Sequence, residues 1–167
     1  MKIIIIDGYN LIHAIPELYD IFLRDMHKAR EHLIFKLTSA FMTHSFQCIV
    51  VFDSKEASTH FERKNEPIRV IYSYPEGTAD DVIVKLVKES QRPRSIAIVS
   101  DDKAVRANCK EAGAHVQSPK EFWYTYIIAH SKNRAHPISE KPEVRSEEDM
   151  RFWEEYFTKN ETTKKRN

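Results

Sequence analysis

The chain has 167 residues, of which 41% are hydrophobic and 31% charged, so it is long enough for one compact domain with a small appendage. Its 26 lysines and arginines nearly balance 25 aspartates and glutamates, which excludes a uniformly basic or acidic chain. Two cysteines, Cys48 and Cys109, are too few for a disulfide framework, lack zinc-site spacing and fit a reducing compartment. No apolar run approaches membrane-spanning length, and a strand follows directly on Met1 and Lys2, so we expect a cytoplasmic protein without a signal peptide.

The order of the predicted elements indicates an α/β fold with a mainly parallel sheet. Apolar runs rich in β-branched residues alternate with segments whose apolar residues fall at helical spacing. The predicted strands are Lys2–Ile6, Gln47–Phe52, Ile68–Ser73, Ser95–Ser100 and a short one at His115–Gln117. Helices are predicted at about residues 24–43, around 82–87, at 102–112 and after Ser118. A strand order of 3-2-1-4-5 would place the first and fourth strands side by side where the order reverses.

Two segments show neither helical nor strand periodicity. Residues 54–67 are predicted to form a long loop, and such loops are often functional. Residues 131–145 are predicted to be a linker, followed by a short aromatic helix and a polar, basic tail. We therefore divide the chain into a domain at residues 1–130 and a helical extension at residues 131–167.

Aspartates follow or closely precede the ends of several predicted strands. Asp7, Asp53 and Asp101 come directly after the first, second and fourth strands, and Asp80 with Asp81 begins the helix before the fourth. Because parallel strands end at one edge of a sheet, these carboxylates should converge there and repel one another. A divalent cation would relieve that repulsion, and oxygen ligands favour Mg²⁺ or Mn²⁺ over zinc. The number of ions, one or two, stays open.

Each of these acids also has a structural interpretation. Asp81 satisfies the capping-box spacing with Thr78, so we expect Asp80 to be the ligand and Asp81 the structural member. Asp101 could serve only as a helix N-cap, and Asp102 is favoured in a first helical turn whatever its function. Asp81 and Asp102 are therefore secondary candidates. Asp7, before Gly8, could also be a turn former, and Asp53, before Ser54, could simply start a loop.

Two further polar residues are candidates for the same site. Asn10, three residues after Asp7, can orient the carboxylate or donate to a phosphate oxygen, or it can be an ordinary turn asparagine. Arg30 lies among apolar neighbours on the long predicted helix, where an unpaired cation is costly. It could pair with the acids, reach a phosphate or lie at the surface.

A group of basic residues follows the second predicted strand. Lys55, Arg63, Lys64 and Arg69 surround Phe61, a mixture that is common in contacts with single-stranded nucleic acid. These residues are the predicted RNA-binding set, although ordinary solvated charge would give the same pattern.

Four motifs resemble those of the NYN group of PIN-like nucleases, and within it the YacP-like subfamily. They are DGYN at residues 7–10, VVFD at 50–53, TADD at 78–81 and VSDD at 99–102. The similarity continues through KAREHL at residues 28–33 and AGAHVQSPKEF at 112–122, so it covers about residues 1–130.

The resemblance implies a three-layer α/β/α PIN-like (NYN) fold and a divalent-metal-dependent endoribonuclease. It carries the family acids to Asp7, Asp53, Asp80 and Asp101, with Asn10 in support, and it implies cleavage of messenger RNA in association with the ribosome. The chain departs from the subfamily at Asp81, where a glutamate is usual, and after the fourth acid, where a glutamine is frequent.

Other enzyme classes fit the motifs less well. A phosphatase of the haloacid dehalogenase type needs a second aspartate two residues after the first, where this chain has Tyr9. A dinucleotide-binding domain needs a glycine-rich first turn, and the whole chain has three glycines. Two alternatives remain: a non-catalytic PIN-like module that binds RNA or the ribosome, and another metal-dependent phosphoester hydrolase. The sequence does not indicate an oligomeric state.

Overall fold

The structure, a computed structural model, describes residues 2–42, 46–54, 63–65, 68–73 and 77–129. The strands are β1 (Ile3–Asp7), β2 (Gln47–Phe52), β3 (Arg63–Asn65), β4 (Ile68–Tyr72), β5 (Ile96–Val99) and β6 (His115–Gln117). The helices are α1 (Gly8–Ala14), α2 (Pro16–Arg24), α3 (Met26–Phe41), α4 (Ala79–Lys88), α5 (Lys103–Glu111) and α6 (Pro119–Trp123). A 3-10 turn at Pro93–Ser95 leads into β5, and a π-helical turn at Tyr124–Ile128 continues α6.

The strands form one sheet in the order β3-β4-β2-β1-β5-β6. All neighbouring strands pair in parallel except β3, which is antiparallel to β4. The five parallel strands are the five that the sequence predicts, and their order 3-2-1-4-5 is confirmed. β1 therefore lies between β2 and β5, at the point where the strand order reverses.

Alternating side chains of the central strand build a core on each face of the sheet. Ile4 and Ile6 are fully buried in the cluster that α1, α2, α3 and α6 complete. Ile5 points to the opposite face, where it joins the cluster that contains Ile83 of α4 and Val105 of α5. Each fully buried aliphatic side chain of this kind contributes about 1.5–3 kcal/mol. The predicted three-layer α/β/α architecture is thereby confirmed.

Several predicted element boundaries were wrong. Two helices, α1 and α2, precede the long helix, and the sequence analysis predicted neither. The long helix begins at Met26 rather than near residue 24, because Asp25 caps it by accepting bonds from the backbone N–H groups of His27 and Lys28. The segment predicted to be a loop at residues 54–67 contains the edge strand β3.

The chain divides into two units, Met1–Ala135 and His136–Asn167. The predicted linker, the final aromatic helix and the polar tail lie outside the described residues. Within the described part of the chain, no helix is long and apolar enough to cross a membrane. Both cysteines are buried and unpaired.

Gly8 is required by close packing directly after Asp7. A Cβ atom at this position would overlap the ring of Phe52, the last residue of β2. We predict that Gly8→Ala lowers the free energy of unfolding by about 1–3 kcal/mol, the usual cost of overpacking. Chemical denaturation measures this change.

The control for this prediction is the double variant Gly8→Ala with Phe52→Leu, which makes room for the added methyl group. The loss in the double variant should be smaller than the sum of the two single losses, by about 0.5 kcal/mol or more. Additive losses would contradict the packing explanation.

Candidate active site

Asp7 lies at the centre of the carboxyl edge of the sheet, at the end of β1 and at the N-cap of α1. Its Oδ1 accepts the backbone N–H of Asn10 at 3.1 Å, and the Ser100 hydroxyl donates to its Oδ2 at 3.3 Å. The residue is only 8% exposed. Burial raises the pKa of Asp7 from 3.8 to about 6; the Asn10 and Ser100 bonds oppose that rise, and the charges of Asp80 and Asp102 add to it.

Asn10 connects the ends of the two central strands. Its backbone N–H bonds to Asp7, while its side-chain Oδ1 accepts the backbone N–H of Asp101 at 2.8 Å. The bond from a backbone donor fixes the amide oxygen toward β5, so the amide NH₂ group is the part that can still donate. Asn10 thus orients both β1 and the loop after β5.

The two aspartates after β5 have different surroundings. Asp102 caps α5, where its Oδ1 accepts the N–H groups of Ala104 and Val105 at 2.8 and 2.9 Å. Its negative charge raises the pKa of both Asp7 and Asp80. The Asp101 side chain is 54% exposed and lies 4.0 Å from the Arg106 guanidinium. Asp101 is the predicted ligand and Asp102 a secondary candidate. The charge of Asp102 acts on both other acids, so Asp102 is at least as good a candidate for the site as Asp101.

Asp80 and Asp81 have different hydrogen-bonding surroundings at the start of α4. Asp81 forms the predicted capping box: its Oδ2 accepts the Thr78 backbone N–H at 3.0 Å, and its own N–H donates to the Thr78 hydroxyl oxygen. These bonds hold the pKa of Asp81 below its ordinary value. Asp80 makes no hydrogen bond with the described residues. Partial burial, followed by the charges of Asp102, Asp81 and Asp53, raises its pKa.

Two buried serines support the acids, and the sequence analysis identified neither. Ser73 follows β4 and donates to Oδ1 of Asp53, which ends the neighbouring strand β2, at 2.8 Å. Ser100 follows β5 and donates in the same way to Asp7, at the end of the neighbouring strand β1. Both serines are fully buried. The available signal was a serine directly after each of two apolar runs, IRVIYS and IAIVS.

Of the basic candidates, the structure describes the side chains of Arg30 and Arg69. Arg30 of α3 approaches Tyr72, the last residue of β4, with its guanidinium carbon 5.8 Å from the ring centre. Arg69 is half-buried in β4, in register with Lys64 of β3. The side chains of Arg63 and Lys64 are not described, and Lys55 lies outside the described residues. Their role in RNA binding stays a prediction.

The donor set of this edge fits a hard divalent cation. The acids offer only carboxylate oxygens as ligands. The pKa values of Asp7 and Asp80 are raised by burial first and then by the charges of neighbouring acids, and a cation would offset both effects. Among the described residues, no three His, Cys, Asp or Glu side chains lie close enough together to ligate one ion. Mg²⁺ commonly keeps several waters and binds through one or two carboxylates plus a phosphate. The arrangement therefore suits a hydrated ion better than one enclosed by protein ligands.

The fold and the carboxylate edge together define an NYN domain, a class whose members are generally nucleases and typically use divalent metals. More specifically, the family model for the YacP-like NYN domain matches residues 4–165, and the chain belongs to this family. The resemblance inferred from the four motifs is confirmed.

Known relatives are found in Bacillus subtilis. The crystal structure of Rae1 (YacP) has a TM-score of 0.64 and 25% identity, covering 99% of this chain and 96% of that chain. A mutant of the same protein gives a TM-score of 0.63 and 28% identity over 80% and 79% of the two chains. The uncharacterized protein YacP of strain 168 is 36% identical over 90 residues, 53% of this chain. That match spans about half of the relative's length, 52%.

The burial of Asp7 predicts a pH-dependent gain in stability when its charge is removed. Because folding raises its pKa from 3.8 to about 6, the charged form opposes folding: the penalty is absent below about pH 4 and complete above about pH 6. A shift of this size corresponds to about 3 kcal/mol. In EDTA at pH 7.5 we therefore expect Asp7→Asn to raise the free energy of unfolding, by up to that amount, and to change it little at pH 4.

The matched control is Asp81→Asn, for which the expected sign is reversed. The pKa of Asp81 is lowered by its bonds to Thr78, so its charge contributes stability above its ordinary titration range and that contribution is lost toward acid pH. Urea denaturation of both variants across pH 4 to 8 measures the difference. A loss of stability at pH 7.5 for Asp7→Asn would contradict the account of the site.

Proposed function

We propose that this protein is a divalent-metal-dependent endoribonuclease that hydrolyses RNA phosphodiester bonds. The observation that carries the proposal is the buried Asp7, whose carboxylate is destabilised by Asp80 and Asp102 at the switch point of the sheet. An edge that accumulates like charges at a cost to stability is typical of a catalytic site. Membership of the YacP-like NYN family supports the nuclease class.

Either Mg²⁺ or Mn²⁺ would supply an activated water and would polarise the phosphodiester group. Residues of the chain orient the carboxylates that would hold the ion. Asp7 is held by Asn10 and Ser100, so its oxygens have fixed directions. Asp80 is not engaged by the described residues and is available as a ligand, whereas Asp53 is held by Ser73 farther along the edge.

The pair Asp101 and Asp102 would supply negative charge and would accept hydrogen bonds from the waters of the hydrated ion, from the side of β5. Asp102 contributes a charge that acts on Asp7 and Asp80, and Asp101 contributes an exposed carboxylate. Asn10 holds the backbone at Asp101 through its side-chain oxygen, and its amide hydrogens can be donated to a phosphate oxygen. We propose in-line attack of a water molecule on the phosphorus atom. The new P–O bond forms as the bond to the 3′ oxygen breaks, and that oxygen takes up a proton, which leaves a 5′-phosphate and a 3′-hydroxyl.

Messenger RNA is the proposed substrate, with the ribosome as the proposed partner, on the basis of the motif resemblance. The alternative is a non-catalytic module that binds RNA or the ribosome. The carboxylate edge argues against it, because a surface used only to bind RNA gains nothing from buried negative charge.

The predicted activity is tested by incubating labelled single-stranded RNA with the protein in Mg²⁺, Mn²⁺ or EDTA. We expect cleavage with either ion and none with EDTA. Asp7→Asn and Asp80→Asn should each reduce the rate by about 100-fold or more, because each removes a carboxylate that no described neighbour can replace. Asp81→Asn is the matched control and should keep most of the activity at a temperature where it is folded.

A separate prediction concerns the two aspartates after β5. Asp101→Asn and Asp102→Asn should each reduce cleavage by only about 10-fold, since the other carboxylate remains at the same corner, whereas the double variant should lose activity as fully as Asp7→Asn. Single-turnover rates with Mn²⁺ measure the three variants. Full activity of the double variant would contradict the proposed role of Asp101 and Asp102 in the site.

Failure of the wild type to cut free RNA calls for the same assay on translating ribosomes. Cleavage there would support the proposed partner. RNA or ribosome binding without cleavage in both assays would contradict the nuclease and favour the binding module.

A further inference from the structure

Among the described residues, Arg30 has no acidic partner, although it lies beside the carboxyl edge of the sheet. It projects from α3 toward the carboxyl ends of β1, β2 and β4, where Tyr9 lies in the first turn of α1 and Tyr72 ends β4. Its Nε is buried and makes no hydrogen bond, and among the described residues no carboxylate lies within ion-pair distance of its guanidinium. The Tyr72 ring offsets part of the cost of this half-buried charge, but no described carboxylate neutralises it.

The guanidinium is held in place by aromatic rings. Tyr72 faces it at 5.8 Å and stacks on Phe52 with its ring centre 6.0 Å away. Tyr9 packs edge-to-face on Phe52 at 5.3 Å and on Phe22 at 6.0 Å. Because Tyr9 and Tyr72 both pack on Phe52, they restrict the conformations open to the Arg30 side chain. Arg30 therefore loses little additional conformational entropy when a ligand binds.

Arg30 lies beside the ends of β2 and β4. It faces Tyr72, the last residue of β4, whose ring stacks on Phe52, the last residue of β2. Asp53 follows Phe52 directly and accepts a hydrogen bond from Ser73, which follows Tyr72. Arg30 therefore lies on the β2–β4 side of the carboxylate edge. Asp80 and Asp102 belong to α4 and the start of α5, the helices that cover the other face of the sheet.

We propose that Arg30, packed between Tyr9 and Tyr72, binds the backbone phosphate of the RNA that adjoins the phosphate at the cleavage site. This inference rests on the proposed function, since it requires an RNA strand at the carboxylate edge. The edge itself repels a polyanion, so the strand needs a fixed cation close by. An arginine supplies two parallel N–H donors that match two phosphate oxygens, which a lysine cannot do.

Its position sets which phosphate Arg30 binds. Asp7, at the end of β1, lies at the proposed position of the reacting phosphate. Arg30 faces Tyr72 at the end of β4, and β2 lies between β4 and β1 in the sheet. Arg30 is thus a positioning residue that fixes the direction in which the strand leaves the site toward β4.

The test is RNA binding in EDTA, where cleavage does not interfere. Fluorescence anisotropy of a labelled single-stranded RNA is followed as a function of salt concentration for the wild type, Arg30→Gln and Arg30→Lys. We expect Arg30→Gln to weaken binding about fivefold and to reduce the slope of log K against log salt by about 0.7, the loss of one phosphate contact. Arg30→Lys should keep the slope, because the charge remains, but should still bind more weakly.

The matched control is Arg94→Gln, which removes the same charge from the turn before β5, at the opposite edge of the sheet. It should leave both affinity and slope close to the wild type. Thermal unfolding shows whether each variant is folded. If Arg30→Gln does not fold, Arg30→Lys decides alone: affinity equal to that of the wild type would overturn the paired-donor contact.

The outcomes separate this inference from the proposed function. A wild type that binds and cuts RNA while Arg30→Gln binds with unchanged affinity and slope would overturn the role of Arg30 only. A wild type that binds no RNA even at low salt would overturn both. An equal loss for Arg30→Gln and Arg94→Gln would show a general charge effect and would also overturn the inference.

Discussion

The repulsion among carboxylates at the carboxyl edge of the sheet is the constraint on which the rest of the site depends. Parallel pairing of β1 with both β2 and β5 places Asp7 between the strand ends that carry Asp53 and the Asp101–Asp102 pair. Burial of Asp7 makes its charge costly, and the nearby charges of Asp80 and Asp102 increase that cost. A fold selected only for stability would place neutral residues at this edge.

The chain limits this cost with short hydrogen bonds at the strand ends. Ser100 and Ser73 each donate a hydroxyl to an acid on the adjacent strand, and Asn10 links Asp7 to the backbone of Asp101. These bonds stabilise the charged forms without neutralising them, so the acids stay available to a cation. Arg30 could have neutralised the edge as an ion-pair partner, but it lies against Tyr72, and the negative charge is retained.

The sequence was sufficient for the parts of the molecule that repeat a simple pattern. Continuous apolar runs such as Ile3–Ile6 identified the parallel strands, and the spacing from Thr78 to Asp81 identified the capping box. The helices α1 and α2 were not predicted, because α1 starts at Gly8 with no connecting loop and α2 follows after only Ile15. Strand β1 ends directly before α1, and α1 ends one residue before α2. Neither helix is therefore preceded by a polar loop, which is the usual sequence signal of a helix start.

Details of the site depend on contacts between distant residues, which sequence spacing does not encode. Ser100 and Asp7 are 93 positions apart, and Asn10 and Asp101 are 91 apart. A serine after a strand has the same local pattern whether it faces solvent or a buried acid. The choice between the adjacent Asp101 and Asp102 likewise depends on which side chain caps α5, and both satisfy the local preference for an N-cap.

The most direct measurement of the central claim is anomalous X-ray diffraction from crystals grown with Mn²⁺. The account predicts a hydrated manganese ion at the carboxyl edge of the sheet, bound by Asp7 and Asp80 with water between the ion and the Asp101–Asp102 pair, and loss of its anomalous peak in Asp7→Asn crystals. Well-ordered crystals at saturating Mn²⁺ without a peak at this edge, or with an unchanged peak in Asp7→Asn, would contradict it.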